Sequence, residues 1–218
     1  LESKYGLGPA ASKVYSRDRG ISLGGYGEFN YKESLSDGDD TYDFVRLVLY
    51  AGYKFTDRIL FNSEIEFEHA STGANDEDGE VSVEQAYLDF LVRDWANARA
   101  GLVLVPVGFI NELHEPPFFH GNERPSVERQ IIPTTWRANG LGVFGDLGDT
   151  VSYRTYVVTS LRADRFSSAN IRSGRQNGSV ERAKDLSWVG RVDYTPVLGL
   201  DLGASIYLGN QGQGDELE

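Results

Sequence analysis

The chain has 218 residues, with 21 Lys and Arg against 33 Asp and Glu, a formal net charge of -12. That balance excludes broad nucleic-acid binding, which needs a basic face. No apolar run reaches the about 18–20 residues of a membrane helix, and the absence of Cys removes disulfides, thiol nucleophiles and cysteine metal sites. A strand-built membrane protein stays open, because alternation hides its apolar face from hydropathy averages. The 25 Gly and 12% aromatic residues suit tight turns and aromatic belts. The lack of a signal peptide and of an initiating Met reads as a processed chain or a fragment.

Residues 1–19 show no sustained period and read as an N-terminal, periplasmic lead-in. Strand one spans Gly20 to Lys32, with Ile21, Leu23, Phe29 and Tyr31 on one face and Tyr26, Glu28, Asn30 and Lys32 on the other. After the acidic loop ESLSDGDDTYD, strand two (Phe44 to Phe55) sets Val45, Leu47, Leu49, Ala51 and Tyr53 against Arg46, Tyr50 and Lys54. A tight turn at Thr56-Asp57 leads to strand three, Arg58 to His69, where Ile59, Phe61, Ile65 and Phe67 alternate with Asn62, Glu64, Glu66 and Glu68. Successive glutamates on one strand face are not a hydrophobic core.

A second acidic loop precedes the clearest stretch, VSVEQAYLDFLVRDWANARAGLVLV, from Val81 to Val105. It reads as two strands around Asp94-Trp95-Ala96-Asn97. Ala86, Leu88, Phe90 and Val92 share a face opposite Gln85, Tyr87, Asp89 and Arg93, and Ala98, Ala100, Leu102 and Leu104 lie opposite Arg99. Period-2 alternation over about 10 residues is long for a soluble strand, usually about 5–6 residues, and matches the about 9–11 residues of a tilted bilayer crossing. The irregular Pro106 to Arg137 segment follows. Four more strands run Asn139 to Gly145, Thr150 to Ser160, Leu186 to Thr195 and Leu200 to Leu208, before a polar tail.

The connections alternate long and short, as in outer-membrane barrels with long outer loops and short periplasmic turns. Tyr53, Trp95, Tyr153 and Tyr194 lie beside short turns, where an interfacial girdle belongs. The fold class expected is an all-β, antiparallel up-and-down transmembrane β-barrel occupying residues 20–218. Nine strands fall short of the even number of a bacterial barrel, and open edges are not tolerated in hydrocarbon. The stretch therefore reads as the N-terminal part of a larger barrel. The alternative is a soluble β-sandwich binding module at a cell surface, since regular short strand spacing also suggests one.

The motifs GISLGGYGEFNY, FNSEIEFEHA, VSVEQAYLDF, AGLVLVPVGFINELHEPPFF, ERQIIPTTWRANGLGVFG and SYRTYVV resemble the phosphate-selective porins O and P and their porin-like relatives, from about residue 5 onward. The resemblance implies a 16-stranded barrel, a homotrimer in the bacterial outer membrane facing lipid and lipopolysaccharide, and a third outer loop folded into the pore. Here that loop is Pro106 to Arg137. Phosphate selectivity in that family uses lumenal arginines and a lysine cluster, and no lysine lies between Lys54 and Lys184. The function expected is passive diffusion of small hydrophilic solutes or ions, with anions such as phosphate among them.

The pore-lining candidates from alternation are Arg46, Lys54, Glu64, Glu66, Glu68, Asp89, Arg99, Arg154 and Arg191. With Lys32, Arg93, Glu28, Asp193 and Asp201 the acids and bases balance one for one. Opposed rows create a transverse field, or else pair across strands and stiffen the wall. The constriction-loop candidates are Glu112, His114, Glu115 and Arg124, expected to approach Arg46, Arg99, Glu64 and Glu66. Neutralising Arg46 and Arg99 is expected to shift ion preference more than neutralising Arg172 and Arg175.

No cofactor or metal is assigned. His114-Glu115-Pro116-Pro117-Phe118-Phe119-His120 offers two imidazoles, but its prolines prevent the helical spacing of zinc motifs. No enzyme is expected either: Ser126 is the lone serine of that loop and no GxSxG is present. The acidic loops (Glu33, Asp37, Asp39, Asp40, Asp43; Asp76, Glu77, Asp78, Glu80) do not fit an EF-type pattern, whose first position would be Ala74. The Leu161 to Asp185 loop, with Arg162, Arg165, Arg172, Arg175, Arg182 and Lys184, reads as an anion funnel, a partner contact or a solvated loop.

Overall fold

A computed structural model of the chain describes residues 3–36, 38–69 and 79–215. Asp37, Asp76, Glu77 and Asp78 of the acidic loops lie outside the described residues. Among the described residues nine strands form: β1 (Gly20–Lys32), β2 (Thr41–Thr56), β3 (Ile59–Glu68), β4 (Glu80–Arg93), β5 (Ala96–Leu104), β6 (Arg137–Leu147), β7 (Val151–Thr159), β8 (Leu186–Val197) and β9 (Leu200–Gly209). They make one antiparallel up-and-down sheet in which each strand pairs with its sequence neighbours, and the sheet is not closed. Every strand is longer than the about 5–6 residues usual in globular proteins, up to the 16 of β2. No helix among the described residues is long and apolar enough to cross a membrane.

The short connections are residues 57–58, 94–95, 148–150 and 198–199. Gly148 and Gly199 take φ of 74° and 85° there, a left-handed turn conformation that a Cβ would strain. The long connections all lie at the opposite ends of the strands, so the sheet has a short-turn end and a long-loop end.

The two faces differ in cover. One is bare and apolar: Ile21 (61% exposed), Leu47, Leu49, Leu88, Phe90, Leu141, Val192 and Ile206 all face outward without a packing layer. The other is covered, and the charges lie on it. Its layer is built from the N-terminal segment and the 105–136 loop, joined by Leu161 and Phe166 of the connection after β7. A 3-10 helix (Ala11–Ser16) buries Ala11 and Val14, and Leu7, Val105 and Trp136 join Val48, Tyr50, Tyr87, Val103, Tyr156, Val158 and Val189 in one hydrophobic cluster. The segment expected as a lead-in thus packs on the sheet. It comes so close to β2 that a Cβ on Gly52 would stand 2.7 Å from Val14 Cγ2.

Among the described residues the ladders shift register at five places, three beside short turns and two within the long-loop half of the strands, where β-bulges interrupt the alternation. Glu28 pairs with Arg46 while Phe29 pairs with Phe44, which leaves Val45 as the extra residue. Val45 was expected beside Leu47 and Leu49; the bulge turns it under cover, buried, and leaves Phe44 exposed instead. Likewise Glu64 pairs with Gln85 and Ile65 with Val83, so Glu84 is the extra residue of β4. Glu84 and Gln85 are both buried as a result.

Candidate functional site

The covered face carries the expected wall charges, and most are paired. Asp89 and Arg99 are direct cross-strand partners. Arg99 Nε and Nη2 donate to the two Asp89 oxygens at 2.8 and 3.0 Å. Tyr15 of the N-terminal helix donates to Asp89 at 2.6 Å, and the Arg99 guanidinium stacks 3.9 Å over the Tyr87 ring. Arg99 is thus neutralised and sealed beneath Tyr15, not presented to water as alternation suggested. Lys54 donates to the Tyr15 carbonyl at 3.3 Å.

The 105–136 loop lies on this face: His114 reaches Glu64 and Arg124 shares a cavity with Arg46 and Glu66, as expected, whereas Glu112 takes another partner. Glu112 accepts from Arg154 Nε at 2.8 Å and not from Arg46 or Arg99. Arg154 also holds Asp193 at 2.5 Å, and Arg191 pairs with Asp193 at 2.6 Å while donating to the Gly108 carbonyl. Burial pushes the Glu112 carboxyl up, and Arg154 partly offsets it.

At the middle of the loop His114 meets the wall. Its Nε2 is 2.9 Å from Glu84 Oε2 and 3.3 Å from Glu64 Oε1, with all three side chains buried. Its Nδ1 is 3.1 Å from the Asn111 carbonyl. Asn111 is itself fixed by bonds to the Val105 and Trp136 backbones. Burial disfavours the imidazolium, but Glu64 and Glu84 outweigh it and hold His114 well above its ordinary value. Burial and the Glu64 carboxylate raise Glu115. His120 is exposed, so the loop's two imidazoles do not converge. The wall carboxylates are what reach His114. Sequence spacing held no signal for this, since Glu64 and Glu84 are 50 and 30 residues away.

Near the long-loop end, Arg46 pairs with Glu28, Glu66 and Glu68 at 2.8, 2.5 and 3.5 Å. It opens on a cavity of about 160 Å³ that Arg124, Arg137, Arg172 and Arg175 also line. Arg172 and Arg175 come from the basic loop and donate to the carbonyls of Thr134 and Thr135. They are structural clamps as well as charges. Burial, then the neighbouring arginines, lowers Arg175, and burial with the nearby Arg124 lowers Arg172. Arg124 is lowered by burial and by Arg46. Glu66, Glu68, Glu80 and Glu84 line the same cavity, so the five arginines exceed its acids by one. This cluster of loop arginines was invisible to strand alternation, which reads only wall positions.

The class that the fold and site define is an all-β chain: one meander sheet, apolar on its bare face and charged on its covered face. The sequence is 46% identical over 207 residues to a protein of Aquifex aeolicus (strain VF5) described as uncharacterized, across 93% of this chain and 47% of that protein. The chain thus spans about half the length of that relative. No family model matches it.

Proposed function

We propose that the chain forms the N-terminal part of an outer-membrane β-barrel porin, related to the phosphate-selective porins, that lets small hydrophilic solutes diffuse passively. The carrying observation is the inversion of the two faces: the bare face is apolar and the charges lie beneath a loop on the other. Water-filled barrels need lipid outside and polar groups inside. A sandwich would instead cover its apolar face with a second sheet. The reading brings with it a bacterial outer-membrane location, lipopolysaccharide around the long-loop end and a homotrimer.

Small anions are the favoured solutes. Arg46, Arg124, Arg137, Arg172 and Arg175 converge on one narrow cavity against Glu66, Glu68, Glu80 and Glu84, and low-dielectric walls focus the field of the positive excess that remains. Planar-bilayer recording of the full-length protein tests this. Deleting residues 109–132 raises single-channel conductance, and replacing Arg172 and Arg175 by Gln moves the reversal potential towards cation preference. Unchanged conductance after the deletion places the loop outside the pore and overturns the reading.

A further inference from the structure

We propose that His114, Glu64 and Glu84 form a binding site for a first-row divalent metal ion, Zn²⁺ above all, which staples the 105–136 loop to the wall of the sheet. The inference is independent of the permeation reading, since it needs neither a closed barrel nor a solute.

Three observations converge. The first is the donor set. One imidazole nitrogen and two carboxylate oxygens lie within 4.8 Å of one another, all buried. Around a tetrahedral ion with bonds of about 2.0 Å, neighbouring ligand atoms stand about 3.3 Å apart. Nε2 of His114 is 2.9 and 3.3 Å from the two oxygens. Imidazole with carboxylate suits Zn²⁺ and its first-row neighbours, whereas Ca²⁺ and Mg²⁺ favour all-oxygen shells.

The second is the surrounding support. A metal-bound histidine usually donates its other ring nitrogen to a carbonyl, which fixes the tautomer and presents the lone pair. Here Nδ1 lies 3.1 Å from the Asn111 carbonyl, leaving Nε2 facing the carboxylates. Glu64 is oriented by Tyr50 Oη, which donates at 2.8 Å to the same oxygen that faces His114, and by Gln85 Nε2, which donates at 2.9 Å to the other oxygen. Gln85 Oε1, beside this bond, remains buried without a partner. Arg137 stands 3.6 Å from the other Glu84 oxygen.

The third is how Glu84 arrives. It is the extra residue of a β-bulge, and bulges re-aim side chains next to functional sites. With unbroken alternation Glu84 and Gln85 would point to opposite faces, and the set would lose a ligand or its support. A proton on His114 can bridge the same carboxylates. A divalent ion delivers twice that charge at the same point and fixes three elements at once.

The test uses full-length protein stripped with EDTA, dialysed, and titrated with Co²⁺ and Zn²⁺. One equivalent of Co²⁺ gives visible absorption of tetrahedral character, and one equivalent of Zn²⁺ abolishes it. X-ray absorption at the zinc edge shows imidazole scattering with oxygen neighbours. His114→Ala abolishes uptake, Tyr50→Phe weakens it about 10–100-fold as loss of an outer-shell partner does, and His120→Ala leaves it unchanged. Protein that takes up no ion overturns the proposal, as does uptake that survives His114→Ala. If that variant does not fold, a zinc spectrum without imidazole scattering overturns it on the unaltered protein.

Discussion

Among the described residues, Asp89 and Arg99 are the most completely buried ion pair between two strands, with side chains 0% and 2% exposed. Breaking one partner of such a pair leaves a buried charge uncompensated, which costs about 3–5 kcal/mol. Arg99→Ala is therefore expected to lower stability by about that amount, and the double variant Asp89→Ala, Arg99→Ala to recover much of it. A double-mutant cycle from urea unfolding in detergent reads the coupling; additive losses would mean the two side chains act separately. Alternation had placed both residues on the correct face. It gave the face and not the depth, because the 3-10 helix that brings Tyr15 over the pair lies more than 70 residues away in sequence. The same limit hid the partner of Glu112: Arg154 and Arg99 share a face, and only the path of the loop decides between them.

At the scale of the element, the strands were legible because period-2 alternation is a local property. It survives without knowledge of what packs on either face. β1 begins and ends where alternation sets it, and β8 and β9 differ at their far ends only. Bulges were not legible, since an inserted residue shows only when the partner strand is known, and so Val45 was given the wrong face. Nor does alternation distinguish Val48 and Val103, which sit among the charged positions and anchor the covering layer. The bare face makes the sharper prediction. Leu88 lies mid-strand on β4, 37% exposed, where a soluble protein would take Arg within about ±0.5 kcal/mol. In a bilayer, Leu88→Arg at mid-depth costs about 2–4 kcal/mol. Urea titration after refolding into lipid vesicles measures the difference, with Glu123→Arg on the exposed loop as reference. Equal stability of the two variants would remove the membrane from the argument.

For the whole molecule the decisive feature is the pair of sheet edges. β1 and β9 each have one neighbour, so each presents a row of backbone N–H and C=O groups without a ladder partner in the sheet. In water such edges are tolerable when short or charged. In hydrocarbon each unsatisfied group costs several kcal/mol, and only closed sheets span. A membrane reading therefore requires further strands between β9 and β1, and the relative from Aquifex aeolicus is long enough to supply them, since this chain covers 47% of it. The alternation of ladder bonds makes closure measurable residue by residue. Along β1, amides that bond to β2 are protected from exchange in any form of the protein. The intervening amides point away from β2 and gain protection only when another strand lies there. Hydrogen exchange of full-length protein in lipid should show both sets of β1 amides, from Gly20 to Lys32, equally slow. In residues 1–218 alone the outward set should exchange quickly while the inward set stays slow. Rapid exchange of the outward set in the full-length protein would mean that the sheet stays open, and an open sheet of this length is not a pore.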